Sequence, residues 1–407
     1  MLALPLDDDV EERMTLAPTL TLEQAAGRTW PVVVVGAGPA GAVAAGLIAR
    51  AGSRVLLVDR SNFPRVKVCG CCLNGRALSA LADAGLADLP ARLGAVPLTA
   101  FRLAAGGREA ELMLRRGVSL SREAFDAALI RHAIAGGADF LPATRAVRAA
   151  SPDDATRSLL LSRQGDEREI AARVVVAADG LGGSLLAEGS PSRSRPGSRI
   201  GAGVVVDFVH PFYAPGTIYM ATAKTGYVGL VRLESGALDI ACALDPSAVR
   251  AAGGPGAVAT SILSEGNWPV PSDLAAAGWR GTAPLTRQAR RVSGHRLFGL
   301  GDATGYVEPF TGEGMAWAMS SAVALAPLAL AAALEWRPHL AARWRQTHRC
   351  LVTRRQRVCR VAAEVLRRPW LAALAVYFLA RLPVLGRPVI SHLNAPAVPS
   401  LHAGGIR

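Results

Sequence analysis

The chain has 407 residues, 51% of them hydrophobic and 19% charged, and a formal net charge of +13 that is carried almost wholly by arginine, because Lys67 and Lys224 are its two lysines. That is ample material for a packed core and two or three structural units, and it excludes a disordered chain. The charge suits nucleic acid or an anionic membrane, but the aromatic-basic interleaving of a nucleic-acid module is missing, so no nucleic-acid partner is expected.

Residues 1–10 carry three aspartates and no basic residue ahead of an apolar core, unlike a secretory signal, so a cytoplasmic protein is expected. Residues 1–29 mix Pro, Asp and Thr without sustained periodicity and read as a flexible leader. Residues 31–60 then read as strand, turn, helix, strand: a four-valine run enters Gly36-Ala37-Gly38-Pro39-Ala40-Gly41, an Ala-rich helix follows, and a second apolar strand ends in Asp59. In such a motif the first glycine turns the chain, the second admits a pyrophosphate to the backbone and the third lets the helix pack on the sheet. The helix N-terminus favours the anion. An acid at the position of Asp59 accepts hydrogen bonds from a ribose 2′-OH, so the nucleotide expected is FAD or NAD without a 2′-phosphate.

Residues 61–74 hold Arg65, Lys67, Cys69, Cys71 and Cys72, while Pro64 and Gly70 preclude one long helix. They read as a loop over an anionic cofactor or as a basic surface loop with buried cysteines. The six cysteines lack metal-site spacing and disulfide-scaffold density, so reduced thiols and no metal are expected.

A helix is expected over 74–85, strands near 99–103 and 111–114, and a helix capped by Ser121. Arg122 lies in that helix's first turn, against the dipole, which implies another partner for it. A strand near 143–149 leads to a polar loop over 151–157, and Val174-Val175-Val176 delivers Asp179-Gly180 at a strand end, where ligands of open α/β sheets bind. Residues 189–199 mark a crossing between domains. The β-rich runs at 200–208, 217–223, 227–233 and 238–244 suggest an antiparallel sheet forming a substrate domain.

A later strand ends in Gly301-Asp302, and Gly312-Glu313-Gly314 lets backbone N–H groups approach a ligand at the start of an apolar helix over 315–334. Pro327 favours a buried helix over a membrane span there. Residues 340–366 place Leu340, Trp344, Leu351, Val358, Val361 and Val365 at helical spacing among seven arginines, with Arg367 and Arg368 directly after. This reads either as a helical cap solvated by arginine or as a surface resting on anionic lipid. The apolar runs 370–380 and 382–390 are too interrupted for spans.

Gly36–Gly41 with Asp59, the Phe63-Pro64-Arg65-Val66-Lys67-Val68-Cys69-Gly70 segment, Arg122, Asp179-Gly180 and Gly301-Asp302 with Gly312-Glu313-Gly314 together resemble the geranylgeranyl reductase family. That family belongs to a group of FAD enzymes with p-hydroxybenzoate hydroxylase-type monooxygenases and flavin-dependent halogenases. The resemblance covers most of residues 30–335. It implies an α/β fold: a Rossmann-like FAD-binding domain (30–95, 118–190 and 285–335), an antiparallel β-rich substrate domain (96–117 and 191–284) and a basic helical C-terminal region (336–407).

The resemblance places the FAD pyrophosphate on Gly36, Gly38, Ala40 and Gly41 and the ribose on Asp59 beside Arg60. Cys69, Gly70 and Cys72 fall beside the flavin half, Arg122 at phosphates or ribose, and a main-chain adenine contact near Val147. Asp302 would hold the ribityl chain, Gly312, Gly314 and Met315 would line the ring, and Asp179 would order the cofactor region. Cys69 and Glu313 are the catalytic candidates, with Cys69 either a proton donor or a packing residue. Tyr227 and Gly229 are the substrate candidates. The Tyr-x-Trp-x-Phe-Pro pattern common in the family keeps only its Tyr at Tyr227-Val228-Gly229-Leu230-Val231-Arg232, and the halogenase Trp-x-Trp-x-Ile-Pro signature is missing. The activity implied is reduction of a carbon-carbon double bond in a hydrophobic isoprenoid, lipid or polyketide-like substrate. The alternative is hydroxylation of an aromatic or polyketide through a flavin hydroperoxide. NAD(P)H is the expected transient reductant, and a peripheral contact with the inner face of the membrane the expected association.

Overall fold

The structure, a computed structural model, describes residues 15–150, 155–186, 193–308, 310 and 312–395. The first half of the expected leader, most of the polar loop at 151–157, part of the crossing at 189–199, and Pro309 and Thr311 of the last glycine motif lie outside them.

At the centre, strands Leu297–Gly299, Asp166–Ala177, Thr29–Val35, Val55–Val58 and Asp139–Leu141 lie side by side in parallel. Val32 to Val35 are bonded on both edges and buried on both faces, which is why the run is apolar without alternation. Helices Pro39–Arg50, Arg122–Ala135 and Gly314–Leu334 cover one face. The Ala-rich composition of Pro39–Arg50 follows from packing against two helices as well as the sheet. Gly314–Leu334 is long and apolar enough to cross a membrane, yet 67% of it is buried inside the protein. Pro327 sits on its exposed side.

Residues 15–28 correct the flexible leader. Leu16, Leu20 and Leu22 are buried, a five-residue helix Leu22–Ala26 is closed by a reciprocal capping box between Thr21 and Gln24, and the buried Trp30 indole donates to the Ala25 carbonyl at 2.9 Å. Five residues are too few to show a helical period, so the packing was invisible in the sequence.

The second sheet has seven strands, in the order Arg280–Pro284, Ile200–Val206, Leu238–Leu244, Gly226–Arg232, Thr217–Ala223, Ala100–Ala105 and Arg108–Met113. Residues 100–113 thus leave the first sheet's territory to join strands drawn from 200–284. The expected antiparallel pairing has one exception: Thr217–Ala223 runs parallel to Ala100–Ala105. Parallel neighbours need a long crossover, and more than a hundred residues of the first domain supply it. Helix Pro255–Glu265 and a Tyr213, Tyr219, Phe212, Trp268 cluster cover this sheet's outer side. Its inner side faces the parallel sheet.

The basic segment is one bent rod: Pro338–His348, a π turn at Arg349–Thr353, then Arg354–Leu366. Its apolar face differs from the expected one. Leu340 and Trp344 are buried, but Val358 and Val361 are exposed, and Gln356, Cys359, Ala363 and Leu366 face inward instead. The buried positions 340, 344, 348, 352 and 356 recur every four residues, a spacing that a 3.6-residue helix cannot hold on one face and that the wider π turn restores. Helix Pro369–Arg381 then folds back on the second sheet, and helix Arg387–Asn394 reaches helix Gly75–Asp83.

Candidate functional site

A cavity of about 530 Å³ lies between the two sheets. Its first wall is the turn leaving the four-valine strand. Gly36 has φ +107°, and a Cβ there would come within 2.1 Å of the Ala178 carbonyl oxygen; a Cβ on Gly41 would lie 1.8 Å from the Gly36 carbonyl oxygen. Both must be glycine for the strand, the turn and the helix to close together. Gly36, Gly38 and Ala40 line the cavity, whereas Gly41 is buried behind them as a packing residue.

Asp59 ties this wall together. Its Oδ2 accepts the Ala37 N–H at 2.7 Å, and its Oδ1 accepts the Ser61 N–H at 2.9 Å. Oδ1 also accepts from Arg65, and Oδ2 keeps a further lone pair for a hydroxyl donor. Arg65 reaches Asp59 at 3.4 Å and Asp126 at 3.9 Å while lying over the Phe63 ring, opposite Gly38. The buried Arg122 meets Asp126 through two 2.8 Å hydrogen bonds, so Asp126 is the partner that Arg122's place in the first helical turn required. Burial, with Arg122 and Arg65 close by, lowers the Lys67 pKa. Three cations crowd here, as an anionic ligand would demand.

Asp179 accepts the Ser184 and Leu185 N–H groups through Oδ2, while its Oδ1 is buried without a hydrogen-bond partner among the described residues. Burial raises its pKa, and likewise that of Asp302. Arg60, Gly70, Cys72, Gly312, Gly314 and Met315 also line the cavity. The positive-φ glycine turn, the cationic group opposite the helix N-terminus and the unpartnered Asp179 oxygen fit FAD.

Besides Gly41, three predicted residues lie outside the lining. Val147 is exposed, and the lining there is Thr144, Arg145 and Ala146, whose short strand turns Val147 outward. Glu313 is fully buried outside the lining, accepting from the Cys359 thiol at 3.0 Å with Arg355 at 4.0 Å. It anchors the start of the long helix to the C-terminal rod and is not placed to touch a substrate. Tyr227 shares a strand face with Gly229, which lines the cavity, but its ring is covered edge-on by Phe310 at 5.5 Å.

Cys69 lies in the cavity wall. A hydrogen bond from the Cys71 thiol, reinforced by the Arg122 guanidinium, holds the Cys69 thiol below the ordinary cysteine range, and the same bond together with burial pushes Cys71 up. The lowered pKa weakens the case for Cys69 as the proton donor. In protein freed of cofactor, iodoacetamide should modify Cys69 well below pH ~8.5, the ordinary thiol value. Cys71→Ala should move that profile upward. Peptide mass spectrometry reads both, with the exposed Cys350 as the internal reference for reagent. A Cys69 profile unchanged by Cys71→Ala would refute the shared-proton arrangement.

Four other lining groups were not legible in the sequence. Tyr306 lies in the two-residue strand Gly305–Tyr306 and Asp239 in Leu238–Leu244. Leu385 and Ile390 come from the C-terminal helices, whose short apolar runs did not say what they cover.

Residues 29–206 match the family of the FAD binding domain. A menaquinone reductase from Mycobacterium tuberculosis is 35% identical over 155 residues, 37% of each chain, and digeranylgeranylglycerophospholipid reductase 2 from Methanopyrus kandleri is 33% identical over 150 residues, again 37% of each. The flavin-dependent brominase Bmp2 superposes with a TM-score of 0.73 at 16% identity, over 91% of this chain and 94% of its own. Fold and site therefore define a flavoprotein with the architecture of FAD-dependent oxidoreductases. Within that class, its FAD-binding segment is related to the geranylgeranyl reductase family, as the motifs indicated. The match spans little more than a third of the length of those relatives.

Proposed function

We propose that this chain is an FAD-dependent reductase that saturates a carbon-carbon double bond in a hydrophobic, isoprenoid-like substrate, with NAD(P)H as the transient electron source. The observation that carries this reading is the apolar lining of the cavity. Leu98, Leu114, Ile218 and Leu230 line it from the second sheet and its flanks, and Leu385, Val389, Ile390 and Leu393 line it from the C-terminal segment. The reductase names of the two sequence relatives point to substrates with long prenyl chains.

FAD, when bound, supplies hydride chemistry at this site. The protein's own residues do the rest. Gly36, Gly38 and the helix N-terminus would hold the pyrophosphate, Asp59 the ribose, and Asp302 the ribityl chain, while the apolar lining excludes water and orients the chain of the substrate. The test is made under argon with reduced protein: adding a polyprenyl phosphate, which carries double bonds and no quinone ring, should return the oxidised flavin colour faster than buffer does. No substrate-driven colour change without oxygen, but a prompt one with oxygen and a phenol, would favour the hydroxylase instead.

The same segment supports peripheral membrane contact. Helices Pro369–Arg381 and Pro383–Asn394 meet at 117°, and between them Trp370, Phe378, Leu382 and Val384 are exposed, with Arg368, Arg381 and Arg387 around them. Apolar side chains rimmed by arginine suit an anionic bilayer surface. This moves the expected contact from the 340–366 rod, whose Leu340 and Trp344 are packed inward, to the segment that roofs the cavity. Vesicles containing anionic lipid should pellet the protein at low salt and release it as salt screens the arginines. Phe378→Glu with Leu382→Glu should abolish pelleting. Undiminished binding of that double variant would exclude this surface.

A further inference from the structure

Asp239 is a carboxyl group in the middle of the second sheet that nothing above uses. It is 5% exposed and lines the cavity on the inner face of Leu238–Leu244. Its neighbours in register on the two adjacent strands are Val205 and Val231, neither of which can pair with it. Val231 belongs to the same apolar cluster as Cys69, Cys71 and Cys72, which places the carboxyl against the cysteine loop. Its Oδ2 is buried without a hydrogen-bond partner among the described residues. The groups that face it are Cys69, Cys71, Cys72 and Cys242, with the Cys71 thiol donating a hydrogen bond to the carboxyl, and no cation is among them.

A carboxylate walled in by valines beside a thiolate is costly, whereas a carboxylic acid there is not. Burial first, and the charge of Cys69 second, accordingly raise the Asp239 pKa well above the ordinary carboxyl value. Cys69 and Asp239 thus have their proton affinities driven apart: burial favours the neutral form of the carboxyl, while hydrogen bonding favours the ionised form of the thiol.

The geometry points to Asp239 as the residue that delivers the proton to the substrate carbon. This rests on the double-bond reduction proposed above. The π bond of the alkene breaks and two C–H bonds form. One hydrogen arrives with an electron pair as hydride from reduced flavin, which is oxidised, and the other arrives as a proton from the Asp239 O–H. The carboxylate left behind, repelled by Cys69, takes a proton back from solvent when the product leaves.

Asp239→Asn keeps the size and removes the acid. The first readout needs no turnover. Above pH ~3.9 the unfolded chain ionises this carboxyl while the folded chain keeps it protonated, so the parent loses stability as pH rises toward the raised folded value. The melting temperature of Asp239→Asn should therefore gain on the parent's steadily from pH ~5 upward. Equal melting curves across that range would show an ionised Asp239 and overturn the proposal. The second readout is an anaerobic single turnover in the holoenzyme. Asp239→Asn should take electrons into its flavin at the parent rate yet saturate the alkene at least about a hundredfold more slowly. Asp239→Glu should recover part of the loss, which a purely structural role would not allow. Saturation by Asp239→Asn within a few-fold of the parent overturns the proton role alone, whereas a parent that saturates no alkene overturns the reductase reading and this assignment with it.

Discussion

Gly41→Val is expected to give a folded protein that has lost its flavin. A Cβ at this position would sit 1.8 Å from the Gly36 carbonyl oxygen and 3.2 Å from Val34 Cγ1, so the helix must move off the turn. That movement carries the N–H groups of the helix start away from the pyrophosphate. Displacement by about an ångström costs on the order of a hundredfold where geometry is this tight. The sheet is bonded independently of the helix, so the far-UV spectrum should be retained. Gly278→Ala is the control, since a Cβ there meets nothing within 4 Å. Flavin content after gel filtration reads the result, and a folded Gly41→Val protein with full flavin would refute the placement of FAD on this turn.

Arg199→Met should be the most destabilising single change outside the cofactor site. Arg199 and Glu308 are each 1% exposed and joined at 3.0 Å, with Asp245 on the other edge of the guanidinium at 3.2 Å and Arg367 on the other oxygen of Glu308 at 3.1 Å. Removing Arg199 leaves the buried Glu308 with only the half-buried Arg367 as counter-ion, and breaking a buried pair costs up to ~3–5 kcal/mol. Because Arg367 opens the C-terminal segment that roofs the cavity, the same change should loosen that roof. Urea unfolding measures the first effect, and proteolysis near Arg381 the second. Arg337, in an exposed pair with Glu335, should be replaceable without measurable effect. A loss for Arg199→Met no larger than that for Arg337→Met would contradict the network.

The site was legible in the sequence where its chemistry is local. The glycine turn, Asp59, Asp179-Gly180 and Gly301-Asp302 each sit at the end of an apolar strand, and strand ends in a parallel sheet converge, so their order along the chain was enough to gather them. Arg122 betrayed a partner by opposing its own helix dipole. Other features depended on contacts that no spacing encodes. Asp239 alternates with apolar residues as a solvent-facing side chain would, and only the packing of the cysteine loop over that face buries it. Glu313, flanked by glycines at the mouth of a helix, looked like a group facing ligand, and its side chain turns the other way to Cys359. The rod over 338–366 misled for a different reason. Its hydrophobic pattern was read with one period throughout, and the π turn at Arg349–Thr353 changes the phase halfway.

The central claim is that this flavoprotein adds hydrogen, rather than oxygen, to a greasy substrate. The most direct test loads the protein with FAD, reduces it under argon and mixes it with a polyprenyl phosphate, whose carbon-carbon double bonds are its only groups that take up two hydrogens, in a single turnover followed by mass analysis of the recovered lipid. The account predicts a product that has gained two hydrogens, formed in proportion to the flavin oxidised and without oxygen. A product that has gained an oxygen atom, and that forms only once oxygen is admitted, would contradict it.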